Sequence, residues 1–115
     1  MATTYIKNGL KTDSLIVTGG ITMGAGTPVT KIAVYSQTIT PASVAAATSA
    51  EQTFTVTGLT TADKVIVNPG AIANSVSVCA ARVSAANTLA VQFNNPTAGA
   101  LTPTATTWSI IAIRS

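Results

Sequence analysis

Histidine is absent from this chain of 115 residues, and cysteine occurs once, at Cys79. The most common general base and zinc ligand is therefore missing, and no disulfide can form within the chain. A reactive thiol also needs a neighbouring base, so Cys79 is unsuited to catalysis. It lies in the alternating stretch Val76-Ser-Val-Cys-Ala-Ala, and we predict a small buried strand residue.

Charged residues are also scarce: they make up 8% of the chain, against roughly a quarter in average globular proteins. Apolar residues make up 47%, which excludes the weakly hydrophobic, highly charged composition of disordered chains. The balance is typical of a sheet protein whose outer faces carry Thr and Ser, or of a protein buried against neighbours in an assembly.

The three carboxylates are dispersed along the chain, at Asp13, Glu51 and Asp63. A hydrolase pair needs two carboxylates facing each other across a cleft. Asp13 and Asp63 lie in turn-like stretches and Glu51 begins a strand pattern, so structural roles are predicted for all three. Nor does the chain show the spacing of a zinc site or a calcium loop. We therefore predict that the protein is not an enzyme and has no metal or cofactor.

The six cations give a net charge of +3 but do not cluster. Nucleic-acid-binding proteins gather Lys and Arg on one face, often with stacking aromatic residues. We therefore predict no nucleic-acid partner, and Arg82 is interpreted as a hydrogen-bonding residue at a strand edge or subunit contact. There is no apolar run of 18 residues and no charged-then-apolar N-terminus, so neither a membrane partner nor a signal peptide is predicted.

A regular series of strand patterns begins at Val29. Strands about ten residues apart with turn signals between them indicate an antiparallel sandwich or barrel. We predict an all-β fold, an antiparallel β-sandwich of jelly-roll or immunoglobulin-like topology, over residues 29–115. The alanine-rich residues 41–51 lack an apolar helical face and are predicted to be a loop or short strand. The predicted strands are 31–35, 37–39, 52–58, 64–68, 75–84 and 88–93, the last two joined as a hairpin, and 106–114.

The last predicted strand is apolar on both faces. Trp108 shares one face with Ile110 and Ala112, while Ile111 and Ile113 point the other way. Such a strand is either buried on both sides or lies at a subunit contact. Core packing is the predicted role of Trp108 itself.

Residues 1–28 differ from the rest, since they contain five of the eight glycines. Short apolar pieces between Asn-Gly, Gly-Gly and Gly-Ala-Gly breaks indicate extended segments joined by turns. Such segments cannot bury an apolar face alone and need the rest of the domain, or another chain, to lie on. We predict an extended Gly-rich N-terminal arm over residues 1–28.

Five motifs occur in a recognisable order. They are Gln37-Thr-Ile-Thr-Pro-Ala-Ser-Val-Ala, Glu51-Gln-Thr-Phe-Thr-Val-Thr-Gly-Leu, Lys64-Val-Ile-Val-Asn-Pro, residues 81–97 and residues 102–114. The set resembles a small β-sandwich module of structural proteins of tailed bacteriophages, both head-decoration and fibre-like, over residues 32–114. In addition, Ser14-Leu-Ile-Val-Thr-Gly-Gly-Ile-Thr-Met-Gly is similar to Gly-broken segments that precede or wind into the trimeric parts of such proteins.

The resemblance implies a capsid decoration or cement protein on the exterior of the virion, a homotrimer that binds the major capsid protein. An arm over residues 5–26 would attach to the particle and intertwine, and no catalytic residues come with the resemblance. The alternative is a tail-fibre, head-fibre or receptor-binding tip that engages the host surface, for which Tyr35 is the loop-proximal aromatic candidate. The expected partner-binding residues are the apolar residues of the arm: Tyr5, Ile6, Leu10, Leu15, Ile16, Val17 and Ile21.

Overall fold

The computed structural model describes residues 9, 13–71 and 75–115. These residues form two three-stranded antiparallel sheets and no helix, which confirms the predicted all-β sandwich. The six strands are β1 (Lys31–Ile39), β2 (Thr48–Thr55), β3 (Lys64–Asn68), β4 (Ser77–Ala85), β5 (Thr88–Asn95) and β6 (Thr106–Arg114).

The strands are wound in nested pairs. One sheet has the order β1-β6-β3 and the other has the order β2-β5-β4. The first strand therefore pairs with the last and the second with the fifth, in opposite sheets. This is the winding of a jelly roll, with six strands rather than the usual eight, and it differs from the immunoglobulin strand order.

Several strand boundaries differ from the sequence expectation: β2 ends at Thr55 rather than at 58, β4 spans Ser77–Ala85 rather than 75–84, and β5 ends at Asn95 rather than at 93. The patterns at 31–35 and 37–39 form the single strand β1, because Ser36 continues the alternation of inward and outward side chains. Strand β2 begins at Thr48, inside the alanine-rich segment, directly after Ala47 with its positive φ of 51°. That segment contains no helix, as predicted, and it is fixed by a backbone bridge between Val44 and Leu101.

The predicted hairpin between β4 and β5 is confirmed. Ala85 pairs with Thr88, so Ala86 and Asn87 form the turn. Asn87 has a φ of 58°, a conformation that asparagine tolerates in tight hairpin turns. Its side-chain oxygen accepts a 2.8 Å hydrogen bond from the amide of Gly58, which ties the hairpin to the connection between β2 and β3.

The hydrophobic core lies between the two sheets. Trp108 of β6 is 2% exposed, and its ring meets Phe93 of β5 edge-on, with centroids 6.1 Å apart. Phe54 of β2 meets the same Phe93 ring at 6.3 Å. The indole Nε1 donates to Thr106 Oγ1 at 3.1 Å, so the buried ring keeps its polar atom satisfied. The predicted core role of Trp108 is confirmed.

A buried amide closes one end of the sandwich. Asn95, at the end of β5, is fully buried, and its Nδ2 donates to the carbonyls of Val44, Ala45 and Gly99 at 3.0, 3.2 and 2.8 Å. Its Oδ1 accepts from the amide and hydroxyl of Thr97 at 3.0 and 2.8 Å. One side chain thus connects the β1–β2 loop to the β5–β6 loop.

The part of the arm that the structure describes, residues 9 and 13–28, contributes no side chain to the hydrophobic core. Ile21 and Val29 exchange two 2.8 Å backbone hydrogen bonds, and the Thr30 amide donates to the Arg114 carbonyl. The radius of gyration is 18.6 Å, against about 13 Å for a compact domain of this length. Part of the chain therefore lies outside the compact sandwich.

Candidate functional site

The arm presents large apolar side chains to solvent. Ile16 and Met23 are 85% and 88% exposed, and the other three large apolar residues between 13 and 23 are at least 43% exposed. Of the residues expected to bind a partner, Leu15, Ile16, Val17 and Ile21 lie on this exposed surface. Tyr5, Ile6 and Leu10 lie outside the residues that the structure describes.

An open groove runs between the arm and the start of β1. It encloses about 410 Å³, and its lining includes Leu15 and Val17 from the arm and Ile32 from β1, but not Ile16. Gly20 lets the arm turn here, because its φ is +105° and a Cβ would lie 3.2 Å from the Val29 carbonyl oxygen. The arm therefore carries apolar side chains toward the groove, at Leu15 and Val17, and a further apolar side chain, Ile16, that does not line the groove.

A second apolar surface lies on the outer face of the β1-β6-β3 sheet. Ile32, Val34 and Ile66 are 60–69% exposed there. The register places Val34 and Ile66 on either side of Ile111, and Ile32 beside Ile113. The other half of the same face carries serines, threonines and Asn68. We name the apolar half the outer patch; its members are Ile32, Val34, Ile66, Ile111 and Ile113.

The sequence predicted the outer patch only in part. The two-sided apolar pattern of β6 predicted burial on both faces or a subunit contact, and the exposed neighbours of Ile111 and Ile113 fit the second reading. Ile32, Val34 and Ile66 were missed as surface residues. In the first half of β1, Ile32 and Val34 point outward while Ala33 and Tyr35 point inward. The alternating sequence does not show which of the two sets faces the core.

One buried carboxylate lies where the arm enters the sandwich. Asp63 accepts from Arg114 Nε at 2.8 Å, Lys31 Nζ at 3.1 Å and the Thr60 amide at 2.9 Å. The Arg114 hydrogen bond, helped by Thr60 and Lys31, outweighs burial and holds the pKa of Asp63 well below its usual range. The Thr60 bond confirms the predicted turn role of Asp63, and the cluster is internally satisfied.

The exposed pair of Arg82 and Glu51 is also structural. Arg82 donates from Nε and Nη2 to the two Glu51 oxygens at 3.1 and 2.8 Å, across β5. Glu51 lies inside β2 rather than at its start. Arg82 was interpreted as a hydrogen bonder at a strand edge or subunit contact; it lies on the edge strand β4, and its partner belongs to its own chain. Exposed pairs of this kind add little stability.

One other sequence expectation is wrong. Cys79 is exposed, because an irregularity in β4 between Val78 and Ala80 breaks the strand alternation at this residue. Tyr35 lies in the middle of β1, and its hydroxyl donates at 3.2 Å to the carbonyl of Gly58 in the β2–β3 connection. A Cβ on Gly58 would lie 3.0 Å from the Tyr35 ring.

Within residues 9, 13–71 and 75–115, no three His, Cys, Asp or Glu side chains are grouped so that they could hold a metal ion. No helix in the same ranges is long and apolar enough to cross a membrane. The chain matches no family model, no curated protein and no solved structure. What the described surface offers is exposed apolar area on the arm and on the outer patch.

Proposed function

We propose that this protein is a structural protein of a tailed-bacteriophage virion, a decoration or cement protein. As a homotrimer, it binds the major capsid protein on the exterior of the head. The observation that carries the proposal is the exposed apolar arm, with Ile16 and Met23 more than four-fifths exposed. Apolar surface of this extent usually marks a protein–protein contact.

The mechanism is adhesion by area. A trimer that spans neighbouring capsid subunits buries several apolar contacts at once, and multivalency turns individually weak contacts into stable attachment. The low charge supports this, because few ions need to lose water when the surfaces meet. Two of the three carboxylates, Asp63 and Glu51, already form ion pairs with cations of the same chain.

The alternative, a receptor-binding tip, draws less support from the structure. A tip that binds sugars would present aromatic rings from its loops. Tyr35 was the aromatic candidate for that role, but it is half-buried in β1 against Gly58.

The first prediction concerns removal of residues 1–26. We expect the shortened chain to keep its sandwich, since among the described residues no side chain before Tyr35 packs in or against the core, but to lose attachment to heads. Purified heads that lack this protein would be mixed with the full chain or the shortened chain, and co-sedimentation would measure uptake. Ser36→Lys, on the polar half of the outer sheet face, is the control and should bind like the natural chain. If the shortened chain were retained on heads, the arm would not be the attachment segment.

A further inference from the structure

The outer patch and the arm are both uncovered in a single chain. Ile32 belongs to the patch and also lines the groove beside the arm, so the two apolar surfaces adjoin. A segment that is apolar on two sides is expected to be covered on both sides in its functional state. Leu15 and Val17 face the groove, while Ile16 does not line it and remains exposed in the single chain.

The exposed area is large enough for a stable contact. Eight large apolar side chains on the arm and the patch are between 43% and 88% exposed. Together they present on the order of 800 Å² per chain, about what each partner contributes to a standard protein–protein interface. Patches above about 600 Å² are unusual on monomeric proteins.

The charges beside the two surfaces are complementary. Among the described residues, Lys31, Arg82 and Arg114 each pair with a carboxylate. Lys64 pairs with none of them; it stands opposite Ile113 at the edge of the outer patch. Asp13 likewise forms no ion pair with a described residue, and it lies two positions before Leu15. Among the described residues, one anion without an ion pair thus lies at the start of the apolar arm segment, and one cation without an ion pair borders the apolar patch.

The dimensions of the two surfaces also agree. Lys64 on β3 and Ile32 on β1 are separated by two strand spacings, about 10 Å. An extended chain covers about the same distance over three residues, which is the step from Asp13 to Ile16. An arm that placed Asp13 beside Lys64 would therefore carry Leu15, which lies on the same side of an extended chain as Asp13, over the patch.

We propose that a second copy of this chain covers the outer patch, and that residues 13–17 of that copy lie across it with Asp13 beside Lys64. This deepens the function proposed above by naming the surface through which copies associate: residues 13–17 make the contact between copies, and the rest of the arm, including the exposed Met23, is left for the capsid. It rests on that function only for the place of the assembly in a virion. The purified chain alone tests it, so a failure to bind heads would leave it untouched.

The experiment measures the mass of the purified full-length chain by light scattering and sedimentation velocity. We expect the natural chain to be an oligomer, and Val34→Lys to weaken association by more than about tenfold, because a lysine charge would be buried in an apolar contact. The matched control is Ser36→Lys, two residues along the same face of β1, which should associate normally. A single-chain mass for the natural protein, or equal effects of the two lysines, would overturn the proposal.

Reversing the charges of Asp13 and Lys64 tests whether residues 13–17 are the segment that covers the outer patch. Asp13→Lys and Lys64→Asp should each weaken association by about threefold or more, and the double variant should restore it, because the pair is re-formed with exchanged signs. Circular dichroism would check that all variants keep the sandwich. If the double variant associated no better than the single variants, residues 13–17 would not be the segment on the patch.

Discussion

Asn95→Asp is expected to lower the free energy of unfolding by about 3–5 kcal/mol at neutral pH. The substitution replaces the Nδ2 donor by an oxygen that faces the carbonyls of Val44, Ala45 and Gly99 in a fully buried site. Three acceptors would then surround a carboxylate that no cation neutralises. Since small domains are stable by only about 5–15 kcal/mol, this loss would remove a substantial fraction of the total stability.

The destabilisation should depend on pH in a defined direction. An unpaired buried carboxylate has a folded-state pKa above its unfolded value of about 3.9. The difference from the natural chain should therefore be smallest below pH ~4, where the acid is neutral in both states, and should grow as the pH rises. Chemical denaturation at several pH values would measure it.

Asn94→Asp is the matched control for this prediction. Asn94 is the neighbouring residue on β5, and its Oδ1 accepts a 3.0 Å hydrogen bond from Ser49 Oγ. An aspartate can still accept that bond on the partly exposed face, so only a small effect is expected. If the two substitutions were equally harmful, the buried amide would not be what joins the two loops.

Asp63→Asn is expected to lower the free energy of unfolding by about 2–3 kcal/mol, less than is usual for loss of a buried ionic partner, because Lys31 and Arg114 retain some contact with water. The Asp63 side chain is fully buried, and it holds Arg114 of β6, Lys31 of β1 and the Thr60 turn together. Without the carboxylate charge, both cations would lack their partner. Thermal and denaturant unfolding would measure the loss.

The same carboxylate predicts how stability changes in acid. Its folded-state pKa lies below the unfolded value of about 3.9, so its contribution is complete above that value and is lost as the pH falls further. The unfolding curves of the natural chain and Asp63→Asn should therefore approach each other progressively as the pH falls below about 4. Glu51→Gln, which breaks the exposed pair with Arg82, should change little at any pH. A constant gap between Asp63→Asn and the natural chain in acid would contradict this role of Asp63.

The positions of the strands could be predicted from the sequence, because a strand is marked by the local alternation of apolar and polar residues. The threonines of β2 and the two-sided apolar pattern of β6 were sufficient to place those strands. The nested order of the strands could not be predicted, since it depends on contacts between residues far apart in the chain, such as Lys31 with Arg114. The irregularity that turns Cys79 outward is likewise a property of the pairing with β5.

The candidate surface was predictable only in part. The arm residues were recognisable because glycines separate short apolar pieces that have nothing to pack on. The outer patch was not recognisable, because alternation in β1 does not say whether Val34 or Tyr35 faces inward. The buried role of Asn95 was also missed, because the sequence Asn-Asn-Pro predicts an exposed turn. In the structure, the second asparagine of this sequence, Asn95, ends β5 and is buried.

The most direct test of the proposed function is an electron-microscopic reconstruction of heads saturated with the full-length chain. We expect density for the protein at symmetry-related positions over the whole shell, with the arm against the capsid and the sandwich outward. A few copies at a single vertex, or no ordered density on the shell, would contradict a decoration function.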